Sequence, residues 1–359
     1  MESESYERIM TAVGRGVPDR VPWFCYCHTP ALPWLRYYSW EKSTRDGEEL
    51  AKAYIAFLHE LDYKMDLLKV TAWKAGMALQ WGRKDRFVDN HEYPENVDVP
   101  VKETEDWRKL KVLDPKKELK ESIRAVSILS REIGRRTPFI WSVHSPMMQA
   151  LHGVSTPDRV YADMKSHPDA LKEGLETITQ TCIEMARAVV DEGATGISYG
   201  IGGGGEFWSR LNKSQFEEYG LHYDKKILAA VKDAPILMFH PCGKWKEDPQ
   251  KSCGLMESGW FRQYPVNTIR WYDRQHTPLP VGKKIYGDIF CIAGGVDEQR
   301  TLRKGTPQEV ESQVKEAIES AAEGGGFILT PGCTVLADTP LENINAMGRA
   351  VEKYGRYKR

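Results

Sequence analysis

A repeated order of helix, glycine turn and short apolar run constrains the fold of this chain more than any other feature. Apolar residues recur every three or four positions over 171–189, which predicts one face of an amphipathic helix. Gly193 ends that helix, and residues 195–199 then form a short run typical of a buried strand. The same order returns at 226–240 and at 310–330. Helices that alternate with buried strands indicate βα units and a parallel sheet.

Eight segments are predicted as strands of this sheet. They are Val21–Cys27, Met65–Thr71, Pro138–Val143, Thr195–Tyr199, Pro235–His240, Asn267–Tyr272, Lys284–Ile292 and Phe327–Thr330. Eight parallel strands favour a closed (β/α)8 TIM barrel over an open doubly wound sheet. We expect one such domain over residues 1–359, beginning with an N-terminal helix. Residues 72–137, between the second and third strands, are too many for one crossover helix, which predicts an insertion that could act as a lid over the barrel mouth.

The composition excludes several functional classes. The 50 Lys and Arg residues against 51 Asp and Glu residues argue against nucleic-acid binding that depends on phosphate neutralisation. No run of about 18 apolar residues predicts a membrane span, and the polar, acidic start lacks the features of a signal peptide. Seven cysteines are too few for a disulfide framework, so we expect a reduced, cytoplasmic protein.

The barrel prediction selects a small group of metal-binding side chains, because active sites in such barrels lie at the carboxyl ends of the strands. The fifth predicted strand ends in His240-Pro-Cys242, and Cys333 follows the eighth. Nitrogen and sulfur donors suit Zn2+, and three protein ligands leave the open fourth position of a catalytic site. Isolated His and Cys residues at strand ends are also common as core or rim residues, so the spacing alone leaves both interpretations open.

Several stretches carry a resemblance to a known family. They are Tyr6-Glu-Arg-Ile-Met10 with Pro18-Asp-Arg-Val-Pro22, Gly294-Gly-Val-Asp-Glu298 with Gly305-Thr-Pro307, and Phe327–Cys333 with Asp338–Asn343. On these residues the chain resembles the uroporphyrinogen decarboxylase superfamily and, within it, the zinc-dependent, corrinoid-linked methyltransferases. The resemblance implies a (β/α)8 barrel, in agreement with the strand count. It also implies a zinc site whose His-x-Cys pair and distant Cys correspond to His240, Cys242 and Cys333.

The resemblance further implies Zn2+ and a cobalamin-type corrinoid as cofactors. The chain contains no Asp-x-His-x-x-Gly cobalamin-binding pattern, so a separate corrinoid protein is the expected carrier and partner. The other expected partners are a small-molecule methyl donor or acceptor and a second copy of this chain, in a possible homodimer. The decarboxylase branch fits less well, because the aromatic region 23–40 holds only Arg36 as a clamp for substrate carboxylates.

Two directions of methyl transfer remain open. Zinc could activate a thiol that accepts a methyl group from the corrinoid, or polarise the oxygen of a methyl donor that Co(I) attacks. The second is favoured by aromatic residues near predicted strand ends, which could form a flat slot for an aromatic ring or simply pack in the core. These residues are Trp23, Tyr26, Trp34, Trp40, Trp73, Trp81 and Trp208. We therefore expect O-demethylation of a methoxylated aromatic compound, with methyl transfer to a thiol, uroporphyrinogen-type decarboxylation and a non-catalytic ligand-binding barrel as alternatives.

Further candidate residues lie near the same strand ends. The candidate substrate pocket consists of Trp23, Tyr26, His144, Tyr199 and Trp208. Glu206 is the candidate acid–base residue or fourth zinc ligand. Residues 200–205 have Gly-x-Gly-x-x-Gly spacing, but no helix start follows directly, which favours a mouth loop over a dinucleotide site. Cys25-Tyr-Cys27-His28 is a weaker metal candidate, because one alternating strand cannot direct all three side chains inward.

Overall fold

A computed structural model describes residues 3–25, 39–72, 76–88, 94–202, 211–241 and 256–357. The strands are β1 (Leu68–Val70), β2 (Lys84–Arg86), β3 (Glu95–Asp98), β4 (Phe139–His144), β5 (Gly196–Gly200), β6 (Ile236–His240), β7 (Thr268–Arg270), β8 (Cys291–Val296) and β9 (Phe327–Pro331). The α-helices are α1 (Glu4–Val13), α2 (Trp40–Arg45), α3 (Gly47–Glu60), α4 (Gly76–Leu79), α5 (Lys120–Glu132), α6 (Pro146–Gln149), α7 (Pro157–Ser166), α8 (Pro168–Asp191), α9 (Lys213–Phe216), α10 (His222–Ala230), α11 (Leu279–Tyr286), α12 (Thr301–Lys304), α13 (Pro307–Ala321) and α14 (Leu341–Tyr354). Short 3-10 helices cover Thr104–Lys109 and Trp260–Gln263, and π-helices cover Ala150–Val154 and Glu217–Leu221. Among these described residues, no helix combines the length and the apolar character needed to cross a membrane.

Seven strands form one parallel sheet in the order β1-β4-β5-β6-β7-β8-β9. The backbone of residues 21–25 bonds to both ends of this sheet. Trp23 forms a parallel bridge with Leu329 in β9, and its carbonyl accepts from the amide of Asp66, just before β1, at 2.9 Å. The N-terminal segment therefore occupies the eighth position and closes the sheet, which confirms the predicted TIM-barrel architecture.

The helices of the outer layer begin and face the barrel as the sequence pattern predicts. At the start of α13, Thr306 and Glu309 each accept the other's backbone N–H, and Pro307 takes the first helical position. Along α8, the apolar face that includes Leu171 and Ile178 is buried. That face packs against β4 and β5, so the periodicity identifies the side of the helix that covers the barrel.

One predicted strand lies elsewhere in the structure. The prediction placed it at Lys284–Ile292, but α11 continues to Tyr286 and β8 begins at Cys291. Leu279, Gly282 and Tyr286 are buried at helical spacing, so this stretch covers the barrel as a helix. The prediction was wrong because only four residues separate the helix from the strand, and apolar residues on both sides of Gly287 and Asp288 hide the boundary between them.

The segment 72–137 contains α4, the antiparallel β2–β3 hairpin, a 3-10 helix and α5. Helix α5 packs on α3 and acts as the crossover helix before β4. The fully buried Trp107 donates from Nε1 to Asp163 in α7 at 2.8 Å. Its ring lies so close to Gly174 in α8 that a Cβ there would approach it to 2.6 Å. This part of the segment packs on the outer helices, and a lid movement stays a prediction.

A buried carboxylate near the barrel's closing segment gives a stability prediction. Asp66 is fully buried and accepts from Arg8 at 2.6 Å and from Arg20 at 2.7 Å. We expect Asp66→Ala to lower the free energy of unfolding by about 3–5 kcal/mol, because two buried guanidinium groups lose their shared partner. Asp19 also pairs with Arg8, but its side chain is 64% exposed, so Asp19→Ala should cost about 1 kcal/mol or less. Urea denaturation of both variants measures the difference, and equal losses would contradict the importance given to Asp66.

Candidate functional site

Three neighbouring strands bring their last residues into register at one rim of the barrel. His144 pairs with Gly200 across β4 and β5, and Gly200 pairs with His240 across β5 and β6. The imidazole of His144 lies beside the bare backbone of Gly200, where a Cβ would stand 3.3 Å from His144 Cδ2. Adjacent strands are about 4.8 Å apart, so the backbones of the two histidines are about 10 Å apart on the same rim.

His240 and Cys333 meet at this rim, with Nε2 of the imidazole 3.5 Å from Sγ. His240 ends β6, Cys333 lies in the turn after β9, and each residue is only 5% exposed. Nδ1 of His240 lies 2.9 Å from the carbonyl oxygen of Arg270, an acceptor that assigns the ring proton to Nδ1 and leaves the Nε2 lone pair facing the sulfur. Burial, together with the nearby Arg270 guanidinium, lowers the pKa of His240 and so favours the neutral ring.

The spacing of this pair is suitable for a shared tetrahedral zinc ion. Zn–S and Zn–N bonds of about 2.3 and 2.05 Å at a tetrahedral angle place the two donor atoms about 3.6 Å apart. The observed distance is 3.5 Å. Within the described parts of the chain, no group of three His, Cys, Asp or Glu side chains is arranged to hold a metal ion. The predicted third ligand, Cys242, lies outside those parts, so the three-ligand zinc site stays a prediction.

A buried carboxylate that the sequence pattern did not select lies next to Cys333. Glu298 Oε2 accepts from the backbone N–H of Cys333 at 3.2 Å, and Oε1 accepts from Gln275 Nε2 at 3.3 Å. Burial, reinforced by the neighbouring Cys333, raises the pKa of Glu298 to about 8. Glu298 follows the end of β8 by two residues, so a correct boundary for that strand would have placed it among the candidate rim residues.

The glycines of β8 make room for a second buried carboxylate. A Cβ on Gly294 would stand 2.7 Å from Asp273 Oδ1, and the same oxygen accepts from the N–H of Gly295 at 3.1 Å. Gly295 has a φ of 122°, a conformation that favours glycine. Gly332, next to Cys333, also lies against Asp273. Asp273 thus lies where the loop after β7, strand β8 and the turn that carries Cys333 pack together. Burial raises the pKa of this carboxyl group to about 7.

The structure turns Tyr199 away from the rim. Its hydroxyl donates to Asp224 Oδ1 in α10 at 2.5 Å, and Tyr264 donates to Oδ2 of the same carboxylate at 2.6 Å. Side chains alternate along a strand, so Tyr199 faces the helix layer while the neighbouring Gly200 faces the barrel interior. This placement corrects the expectation that Tyr199 lines the substrate pocket.

The expectation that Trp23 lines the substrate pocket is corrected in the same way. The residue is fully buried, its Nε1 donates to the carbonyl of Lys64 at 3.1 Å, and its ring packs against Gly348 in α14. Trp40 is also buried, and Trp81 donates to the carbonyl of Lys111 at 2.7 Å. These three indoles therefore pack or hydrogen-bond within the scaffold.

His144 lines a cavity of about 880 Å3 beside the rim, together with Thr71, Ser142, Gln149 and Met185. This placement suits the predicted pocket role of His144. Of the two cysteines in the weaker metal candidate, Cys25 is buried. The predicted residues that lie outside the described parts of the chain are Tyr26, Cys27, His28, Trp34, Trp73, Glu206, Trp208 and Cys242.

Comparison with known proteins places these features in a family context. The family described as uroporphyrinogen decarboxylase (URO-D) matches residues 4–354. Methylcobamide:CoM methyltransferase MtbA of Methanosarcina mazei is 26% identical over 97% of this chain and 97% of its own length. A uroporphyrinogen decarboxylase of Geobacter sulfurreducens is 24% identical over 71% of each chain. A solved structure, described as a methyltransferase from Methanosarcina mazei, has 17% identity, a TM-score of 0.78 and 99% coverage of both chains, which shows a shared fold.

The buried Asp224 should make folding stability depend on pH. Burial raises its pKa from 3.8 to about 7, so the folded state keeps a proton that the unfolded state releases above about pH 4. Relative to its value below pH 4, the free energy of unfolding therefore falls as the pH rises to about 7, by up to roughly 1.4 kcal/mol per pH unit. Asp224→Asn lacks the titration, so its stability relative to wild type should increase between about pH 5 and pH 7.5 in urea denaturation. A difference that is independent of pH would exclude a raised pKa at Asp224.

Proposed function

The chain belongs to the uroporphyrinogen decarboxylase family, and we propose that it is a zinc-dependent methyltransferase that acts with a corrinoid protein. The observation that carries this proposal is the 3.5 Å approach of His240 Nε2 to Cys333 Sγ at the barrel rim. The methylcobamide:CoM methyltransferases match 80–97% of the chain, whereas the decarboxylase of Geobacter sulfurreducens matches 71% of it. The aromatic region 23–40, with its single Arg36, also argues against a porphyrinogen tetracarboxylate as the substrate.

We assign the zinc ligands as His240, Cys242 and Cys333. A zinc ion held there would act as a Lewis acid on a thiol or an ether oxygen at its open position. His240 supplies a neutral Nε2, because its Nδ1–H is engaged by the carbonyl of Arg270. The turn after β9 presents Cys333 to the same point, and the burial of both residues keeps bulk water from this side of the site.

A small thiol is the methyl acceptor that has the stronger support. The names of the relatives pair a methylcobamide with CoM, which is a thiol. In such a transfer the thiol first loses its proton to solvent, the cobalt–carbon bond breaks and a sulfur–carbon bond forms. The electron pair of the broken bond stays on cobalt as Co(I), so the reaction needs no external oxidant or reductant.

O-demethylation of a methoxylated aromatic compound is the second candidate, and the many Trp and Tyr residues near strand ends favour it. Of the residues proposed to form the aromatic slot, Trp23 and Trp40 are buried, and Trp81 donates to the carbonyl of Lys111. The described residues therefore give the aromatic slot less support than the sequence pattern did. A role for Glu206 as acid–base residue or fourth zinc ligand remains part of both candidates.

Removal of one ligand tests the zinc assignment. Cys333→Ala should abolish stoichiometric zinc binding and methyl transfer, because it removes one of three protein ligands. Cys291→Ala is the matched control, since it removes a fully buried thiol in β8 that lies outside the proposed site. The metal content of the purified proteins, measured by mass spectrometry, should be about one zinc per chain in wild type and in the control. Full zinc content in Cys333→Ala would exclude this ligand set.

The direction of transfer is tested by absorption spectroscopy with free cobalamins. Methylcobalamin and a small thiol, mixed with the protein, should be converted to cob(I)alamin and a methyl thioether. A second mixture, of cob(I)alamin with aryl methyl ethers and the protein, should remain unchanged. Formation of methylcobalamin from the ethers, with no reaction of the thiol, would establish O-demethylation instead.

A further inference from the structure

The turn that carries Cys333 begins where β9 leaves the sheet. The N–H of Gly332 donates to the carbonyl of Val296 at 3.1 Å, which extends the β8–β9 ladder. The next N–H, that of Cys333, donates to a side chain, Glu298 Oε2, at 3.2 Å. A carboxylate thus replaces the backbone acceptor at the residue whose thiol faces His240.

Glu298 is itself held from two sides. Its second oxygen accepts from Gln275 Nε2 at 3.3 Å, and the residue is 1% exposed. Its backbone lies in a turn that Asp297 stabilises, because Asp297 Oδ1 accepts from the N–H groups of Gln299 and Arg300 at 2.9 and 2.8 Å. The carboxylate therefore has one defined position against the amide of Cys333.

The two described donors of the proposed site are supported in parallel ways. The carbonyl of Arg270 orients the imidazole of His240, and Glu298 holds the backbone from which Cys333 Sγ projects. Partners that orient metal ligands alter metal affinity by about 10–100-fold when they are removed. We propose that Glu298 is a positioning residue for Cys333 and thereby sets the affinity of the site for zinc. This inference rests on the proposed function, because it assumes that Cys333 is a zinc ligand.

The test measures metal binding and does not depend on catalysis. Metal-free protein is titrated with Zn2+ in competition with a chelator, and with Co2+ to record the absorption bands of a cobalt–thiolate site. Glu298→Ala should bind zinc about 10–100-fold more weakly than wild type and should show altered cobalt bands. Glu298→Gln keeps an acceptor oxygen for the N–H of Cys333 if the amide of Gln275 turns round, so this variant should recover most of the affinity.

Asp297→Ala is the matched control. It removes two backbone hydrogen bonds from the same turn, and Asp297 is not the acceptor for Cys333. This variant should unfold at a lower temperature than wild type and lose much less zinc affinity than Glu298→Ala, because the bond from Glu298 to the N–H of Cys333 remains. If Glu298→Ala does not fold, Gln275→Ala takes its place. It removes one of the two bonds that hold the carboxylate, and it should weaken zinc binding in the same direction by a smaller factor.

The outcomes separate this inference from the function on which it rests. Wild-type zinc affinity in Glu298→Ala, with unchanged cobalt bands, would overturn the positioning role and leave the zinc site intact. An equal loss of affinity in Asp297→Ala would also overturn it, because general damage to the turn would then suffice. A wild-type protein that binds no zinc would overturn the proposed function and the positioning role together.

Discussion

The buried carboxylate of Asp66 joins the first segment of the barrel to the second. It accepts from Arg8, from Arg20 and from the N–H of Trp23, and so holds residues 21–25 between β9 and β1. Closure of the sheet decides the geometry of the site. β6 and β9 are separated by two strands, and in a flat sheet their ends would lie about 14 Å apart. The 3.5 Å contact between His240 and Cys333 therefore depends on the curvature of the barrel.

Most of the fold could be predicted because helical and strand periodicities alternate clearly along the chain. The exception is instructive. Only four residues separate helix α11 from strand β8, and apolar residues stand on both sides of Gly287 and Asp288, so periodicity does not show where the helix ends and the strand begins. The error also hid Glu298, since a residue is recognised as part of the rim only when the end of its strand is known.

The candidate site could be predicted in part. His240 and Cys333 lie at or just after strand ends, and the parallel strands of a TIM barrel all end at the same rim. The orientation of Tyr199 was not predictable, because a shift of one residue in a strand turns a side chain to the other face. The contacts of Glu298 with Cys333 and Gln275 join residues that are far apart in the sequence, and no spacing pattern records such a partnership.

The proposed metal site rests on three contacts: Asp66 helps to close the barrel, a carbonyl orients the imidazole of His240, and Glu298 holds the backbone of Cys333. Zinc K-edge X-ray absorption of the zinc-loaded protein tests this claim most directly. The site predicts two sulfur donors at about 2.3 Å and one imidazole nitrogen at about 2.0 Å in the first shell. A first shell without sulfur, or with four sulfur atoms and no imidazole, would contradict a site made of His240, Cys242 and Cys333.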